Sequence, residues 1–167
     1  SSYITGANLI AKREVFKKIL FDRDIYPGDD VNFVDLAKKS GFGVGYSPNV
    51  VIYHRRRANL KGLVKQIFDY ALVRPKKNFL NQFVETPLFF VPSAFLLYLA
   101  LFPTLVLLHW FFYLPLVLYV VLLLGFSLIE SIKAREFWAF FALPFFYAVI
   151  HLVYGAGFLI GIVRRFI

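Results

Sequence analysis

The first 86 residues alternate short apolar and polar groups, whereas the residues that follow form long apolar runs. In the first part, apolar spacings of three and four predict helices, and stretches rich in branched and aromatic side chains predict strands. The predicted helices cover residues 13–19, 31–40 and 60–73. The predicted strands cover residues 44–53 and, as a strand or loop interrupted by Gly6, residues 3–11. This order indicates a mixed α/β domain.

The helical spacings also predict which side chains are buried. On the first helix the inward positions are Val15, Phe16 and Ile19. On the second they are Val31, Val34 and Ala37. On the third, basic helix they are Leu63, Ile67 and Phe68, with Lys61 and Lys65 outward. Gly41 is expected to end the second helix, because glycine is favoured just past a helix C-terminus.

Two long stretches, residues 86–129 and 137–163, carry no formal charge. A helix that crosses the bilayer needs about 20 apolar residues, so the first stretch is long enough for two crossings and the second for one. A soluble helix of this length would show a polar side at helical spacing, and neither stretch does. The predicted all-α transmembrane region over 88–167 therefore follows a connector over 78–87 and has three helices, at 88–108, 114–129 and 137–162.

Most of the charge precedes this membrane region. Fifteen of the 19 Lys and Arg residues and eight of the 10 Asp and Glu residues lie before residue 87. A basic segment beside a membrane suits the anionic cytoplasmic leaflet, so we expect residues 1–86 to be cytoplasmic and membrane lipid to be a partner. Three crossings then put Arg164 and Arg165 on the opposite face, against the positive-inside tendency. Further spans, a re-entrant segment or an exception to the rule would each account for this.

Some polar residues of the first part are candidates for chemistry. Asp29 and Asp30 open a predicted helix and suit a metal site or a general base. The alternative is an N-cap with favourable charge at the helix dipole, which is the more common reason for acidic residues there. His54 suits a metal ligand or simply the polar end of a strand. The run Arg55–Arg57 suits a phosphate or a basic membrane flank.

Other candidates are weaker on local grounds. Gly6 and Asn8 suit a loop that approaches a ligand closely, although an ordinary turn explains them as well. His109 is expected at the membrane surface together with Trp110, as part of an aromatic belt. His151 lies in an apolar run, where an ionisable group often has a function. Its neighbours Tyr154, Gly155 and Gly157 instead favour a helix-packing face.

Several short motifs occur in a particular order between residues 3 and 77. A Gly-x-Asn loop at Gly6 precedes an acidic pair at Asp29-Asp30, and a Val-x-x-His motif ends at His54. The accompanying segments are Arg13–Phe16, Phe21-Asp22, Lys38–Phe42, Tyr46–Pro48, Lys65-Gln66, Tyr70-Ala71 and Arg74. In this order they resemble the second half of a family 2 glycosyltransferase with a GT-A fold. The resemblance implies an α/β partial GT-A domain over residues 1–77.

The resemblance also implies a role for each matched residue. Asp30 corresponds to the catalytic base that acts on the acceptor hydroxyl, and Asp29 stands where the family usually has Glu. His54 corresponds to a ligand of the divalent metal, Mg or Mn, that holds the diphosphate. Residues that correspond to the donor and acceptor site are Gly6 and Asn8, with Arg56, Arg57 and Gln66 as weaker candidates for phosphate contacts.

The implied activity is inverting, metal-dependent transfer of a sugar from a nucleotide-sugar donor to a lipid-linked or polysaccharide acceptor. The implied place is the cytoplasmic face of a bacterial cell membrane, and no nucleic-acid partner is expected. Two departures matter: Leu36 replaces a common Arg, and Gln66–Tyr70 lacks the Gln-x-x-Arg-Trp motif of processive synthases. The nucleotide-binding first half of such a domain is not among the matched segments. We therefore interpret the chain as a fragment that is inactive alone and whose metal is mostly held elsewhere.

Two other classes of function remain open at this stage. One is a non-enzymatic membrane anchor or assembly module with a basic cytoplasmic head. The other is a small transporter or channel subunit, for which uncharged apolar helices offer little ion pathway.

Overall fold

The computed structural model describes residues 8–53, 59–76 and 87–166. Within these ranges the α-helices are α1 (Arg13–Lys18), α2 (Asp29–Lys39), α3 (Leu60–Val73), α4 (Val91–Leu108), α5 (Leu114–Ala134) and α6 (Phe137–Phe166). Short 3-10 helices cover Arg23–Ile25, Arg74–Lys76, Pro87–Phe90 and Trp110–Tyr113. The chain divides into two compact units: residues 1–63, called here the N-terminal unit, and residues 64–167, called the membrane unit.

The N-terminal unit has a small apolar core formed by its first two helices. Val15 and Ile19 are four residues apart on one side of α1, and Phe33, Val34 and Ala37 form the buried side of α2. The Phe33 ring is only 2% exposed and lies 4.5 Å from the Phe21 ring, centroid to centroid. The core therefore depends on one aromatic side chain more than on any other.

Two predictions about these helices need correction. Val31 was expected inward but is 38% exposed, while Phe33 takes the buried position instead. The large Phe33 ring packs against the Phe16 and Phe21 rings, and Phe33, Val34 and Ala37 together form the buried side of the helix. Phe16 was expected inward and is 40% exposed. Gly41 does follow the helix, with φ 83°, as predicted.

The predicted α/β partial GT-A domain is wrong for the residues that the structure describes, because none of them lies in a β-strand. The stretch 44–53 is without regular structure, with Val51 68% and Tyr53 100% exposed. A strand is stable only when a neighbour takes its backbone hydrogen bonds. The β-prone composition of residues 44–53 does not supply such a neighbouring strand. The fold class of the described part of the chain is all-α.

The membrane unit contains the three apolar helices that the sequence predicted. Pro87–Leu108, Trp110–Ala134 and Phe137–Phe166 are each long and apolar enough to cross a bilayer. The last two extend past the predicted bounds of 114–129 and 137–162. They are joined at Arg135, whose left-handed backbone (φ 55°) ends α5 and turns the chain directly into α6. The α5–α6 pair is therefore a tight helical hairpin.

Candidate functional site

The two candidate catalytic carboxylates lie in the first turn of α2. Asp29 and Asp30 are half-buried, and the Oδ1 atom of Asp30 accepts a hydrogen bond of 2.8 Å from the Val31 amide. The cap residue is Gly28, so neither carboxylate is the N-cap. Both nevertheless lie at the positive end of the helix dipole, which favours negative charge there. The local geometry thus accounts for this acidic pair without requiring a ligand.

An open groove of about 910 Å³ crosses the N-terminal unit between the loop at residues 8–12 and the stretch 42–50. The Asn8 side chain lies in it and donates a hydrogen bond of 3.0 Å to the Val50 carbonyl oxygen. Glu14 is the acidic residue of its lining, and neither Asp29 nor Asp30 contributes. Asn8 therefore ties two loops together, and the groove and the acidic pair are separate features.

The remaining predicted site residues are only partly within the described chain. Gly6, His54, Arg56 and Arg57 lie outside the described residues, as does most of the predicted connector. Gln66 is half-buried on α3, in the membrane unit. Among the residues that are described, no three His, Asp or Glu side chains group closely enough to hold a metal ion. Among the described site residues of the N-terminal unit, Asp29 and Asp30 are adjacent in the chain, and Asn8 lies in a groove that neither of them lines.

One acidic pair was not recognised as an Asp-x-Asp motif, although its first residue belongs to the matched segment Phe21-Asp22. Asp22 and Asp24 form an Asp-x-Asp motif at the start of the first 3-10 helix. The Oδ1 atom of Asp22 accepts a hydrogen bond of 3.0 Å from the Asp24 amide, which closes a local turn. That bond is typical of Asp at turns and gives the motif a structural reason.

A polar pair lies between the membrane helices. The Tyr119 hydroxyl of α5 and the Nδ1 atom of His151 of α6 are 3.1 Å apart, within hydrogen-bond distance. They line a cavity of about 400 Å³ with apolar residues of α4, among them Pro92 and Phe95. The Phe95 ring also packs on the Tyr119 ring at 4.1 Å between centroids. His151 is therefore joined to a neighbouring helix, and its partner Tyr119 is a residue that the sequence did not single out.

The glycines of α6 form the packing face that the sequence predicted, and this face is larger than expected. A Cβ atom on Gly155 would lie 2.6 Å from the Pro92 carbonyl oxygen of α4, and one on Gly157 would lie 2.8 Å from the Phe68 carbonyl oxygen of α3. Gly161 approaches the Leu72 carbonyl oxygen even more closely. Only glycine permits backbones to come this near. The four-residue spacing of Gly157 and Gly161 is a sequence signal that could have revealed this contact.

The C-terminal end of α3 is thereby fixed against α6. Ala71 is fully buried there, and the Nη1 atom of Arg165 donates a hydrogen bond of 2.8 Å to the Pro75 carbonyl oxygen. On the exposed side of α3, Lys65 pairs with Asp69 at 2.6 Å. The amphipathic helix predicted at 60–73 is confirmed, and its apolar side packs on a membrane helix.

His109 has a local structural role. Its Nδ1 atom accepts a hydrogen bond of 3.0 Å from the Phe111 amide and so caps the 3-10 helix that joins α4 to α5. Trp110 beside it is 67% exposed, as expected for a belt residue facing lipid headgroups.

The chain matches no protein-family model, no curated protein and no solved structure. What its own structure establishes is that it is an integral membrane protein. Its long apolar helices expose Leu, Val and Phe side chains over most of their surface. Since such a surface is stable only in contact with hydrocarbon, membrane lipid is one of its partners.

Proposed function

We propose that this chain is the membrane-attached part of a glycosyltransferase that works at the cytoplasmic face of a bacterial membrane. The enzyme would transfer a sugar from a nucleotide-sugar donor to a lipid-linked or polysaccharide acceptor. One observation carries the proposal: α3, which bears the Lys65-Gln66 motif of the family resemblance, is packed against α6 through Gly157 and Gly161. A chain segment held in this way stays at the bilayer surface, where a lipid-linked acceptor is presented.

In this proposal Asp30 removes the proton from the acceptor hydroxyl as that oxygen attacks the anomeric carbon of the donor sugar. The bond from that carbon to the diphosphate oxygen breaks at the same time, and the nucleoside diphosphate leaves. A carboxylate within reach of the hydroxyl is a side chain that can accept this proton. Asp29 adds a second negative charge beside it. The proposal includes a divalent metal on the diphosphate, with His54 as one of its ligands. We assign no reaction step to this metal, because no cluster of side chains among the described residues fits a metal ion.

The test is sugar transfer by the full-length protein that contains this sequence, reconstituted in membranes with a panel of labelled nucleotide sugars. The Asp30→Asn variant is expected to lose transfer by roughly a hundredfold or more, as general-base removal usually does. Asp35→Asn is the matched control, because Asp35 is an exposed carboxylate on the same helix. Transfer by Asp30→Asn at the control rate would remove Asp30 from the base role.

A second candidate is a non-enzymatic anchor or assembly module with a basic head. The observation that favours it is that the α3–α6 contact uses none of the candidate catalytic residues, so anchoring is independent of them. Absence of transfer with every nucleotide sugar, for a full-length protein whose helices are correctly inserted, would select this alternative.

A further inference from the structure

The start of α4 and the end of α6 both lie beside one short segment, the 3-10 helix Arg74–Lys76. The guanidinium carbon of Arg74 is 3.2 Å from the centroid of the Phe89 ring, which immediately precedes α4. The next residue, Pro75, accepts the hydrogen bond from Arg165 near the last turn of α6. Two chain positions far apart in sequence are thus within side-chain reach of the same three residues.

This proximity is incompatible with three full crossings. If α4, α5 and α6 each crossed the bilayer once, Phe89 and Arg165 would lie on opposite faces, separated by about 30 Å of hydrocarbon. The bridging residues 74–76 span far less than this, because a residue extends at most about 3.6 Å along the chain. An even number of crossings between Phe89 and Arg165 satisfies both contacts.

The contacts of α4 show which helix does not cross. α4 packs near the end of the hairpin where α6 finishes, through Ser93 to the Gly155 carbonyl oxygen at 3.4 Å and through Tyr98 to the Phe112 carbonyl oxygen at 2.6 Å. The Phe102 ring lies 5.3 Å from the Tyr113 ring at that same end. With the cavity that Pro92 and Phe95 line, these contacts reach from the middle of the hairpin to the start of α5, and α4 therefore does not follow α5 and α6 along their full length.

We infer that α5 and α6 cross the bilayer as a hairpin while α4 stays at one face without crossing, and that this shared face carries a cationic surface for anionic lipid headgroups. This surface, called the cationic end, consists of Arg74, Lys76, Arg164 and Arg165. It is assembled from two distant segments, and the 2.8 Å bond from Arg165 to Pro75 fixes their relative position.

The charge distribution favours a phosphate-bearing lipid as the occupant. By sequence, residues 74–86 and 164–165 contain five Lys or Arg residues and one carboxylate, Glu85. At the opposite end of the hairpin, Glu130 and Glu136 balance Lys133 and Arg135, so that end has no net charge. Basic side chains where a membrane helix ends lie at headgroup depth, and guanidinium groups bind phosphate in bidentate geometry. The two-crossing arrangement also places Arg164 and Arg165 on the basic, cytoplasmic side.

The arrangement of crossings can be tested directly because the chain contains no cysteine. Single variants Lys76→Cys, Arg164→Cys and Lys133→Cys would be labelled with a membrane-impermeant maleimide in spheroplasts and in inverted vesicles. We expect Lys76→Cys and Arg164→Cys to react from one face and Lys133→Cys from the other. Reaction of Lys76→Cys and Lys133→Cys from one face, with Arg164→Cys from the other, would overturn the inference.

Lipid binding is tested on the full chain in detergent by native mass spectrometry, with phosphatidylglycerol and phosphatidylcholine of equal chain length as probes. Wild type is expected to retain phosphatidylglycerol preferentially. The Arg164→Gln/Arg165→Gln variant is expected to lose at least about fivefold of that preference, the contribution of one surface cation. Lys133→Gln/Arg135→Gln removes the same charge at the opposite end and is expected to leave the preference unchanged.

Two further outcomes decide the chemistry of the surface. Arg164→Lys/Arg165→Lys keeps the charge and is expected to retain at least half of the preference, and equal loss in the Lys and Gln variants would contradict a headgroup site. Inorganic phosphate at millimolar concentration is expected not to displace the retained lipid. Displacement would show a site for free phosphate and overturn the assignment to a lipid. Equal loss in the variants of both ends would show unspecific attraction and overturn it as well.

Discussion

The N-terminal unit and the membrane unit bury their helices by different means. In the N-terminal unit, α1 and α2 meet through large apolar side chains, and the Phe16, Phe21 and Phe33 rings stack on one another. In the membrane unit, α6 meets its neighbours through Gly155, Gly157 and Gly161, whose missing side chains let backbones touch.

The difference follows from the solvent of each unit. In water, removing apolar side chains from solvent drives helices together, so large residues belong in the contact. In lipid, an apolar side chain gains nothing by leaving the hydrocarbon, and close backbone packing and hydrogen bonds hold helices together instead. Many large residues of α5 and α6, such as Phe126 and Phe141, accordingly point outward, while Phe158 of α6 is fully buried. This contrast predicts that a smaller side chain at a helix contact destabilises the N-terminal unit, whereas a larger one destabilises the membrane unit.

The largest expected effect is on the N-terminal unit. Phe33→Ala removes its most buried large side chain and is expected to lower the free energy of unfolding by about 3–5 kcal/mol. Hydrogen exchange followed by mass spectrometry on the whole chain would show faster exchange of α1 and α2 amides with unchanged α5 and α6. Leu36→Ala, on the exposed side of α2, is the control and is expected to have little effect. Equal exchange in the two variants would contradict the core described here.

The second largest effect is expected in the membrane unit, from enlarging a small side chain. Gly161→Leu puts a side chain where the Leu72 carbonyl and Pro75 of the adjacent segment already lie, and overpacking of this kind costs about 1–3 kcal/mol. Exchange of the α3 amides from residue 64 onward is expected to accelerate. Gly125→Leu on α5 is the matched control, because a Cβ atom there meets nothing within 4 Å. Protection of α3 that survives in Gly161→Leu would show that the glycine contact does not hold it.

The smallest effect concerns the hydrogen bond inside the hairpin. Tyr119→Phe keeps the ring contact with Phe95 but removes the hydroxyl that reaches His151, and such interhelical bonds contribute about 0.6 kcal/mol on average in membranes. A small loss of thermal stability in detergent is expected. Tyr113→Phe keeps its ring against Phe102 and serves as the control. A loss equal in both variants would remove any special role from the Tyr119–His151 pair.

Helices were more predictable from this sequence than strands, and the cause is physical. A helix makes its hydrogen bonds within its own segment, so the spacing over 60–73 predicted bounds that coincide with those of α3. A strand needs a second segment, and the stretch 44–53 contains no information about where that neighbour is. The burial of Phe33 in place of Val31 was also missed, because the rings that it packs against, Phe16 and Phe21, lie outside α2.

Contacts between segments were the least predictable part of the candidate sites. The apolar run around His151 indicated that it packs on a neighbour, but the partner Tyr119 lies on another helix and only the folded chain reveals it. The same holds for Asn8, whose hydrogen bond reaches Val50 across 42 residues. Resemblance between short motifs predicts roles for residues one at a time. It does not show whether those residues meet.

The hydrogen bond from Arg165 to the Pro75 carbonyl oxygen joins residues that are 90 positions apart in the chain. This separation has a consequence for the order of events during synthesis. Ribosomes add about 5–20 residues per second, so α3 is complete roughly 5–18 s before α6 is available to cover it. During that interval its apolar side needs another partner, and the surface of the bilayer is the nearest one. An amphipathic helix with outward lysines suits temporary binding at the bilayer surface. The order of synthesis thus brings the N-terminal unit to the membrane before its final anchor exists.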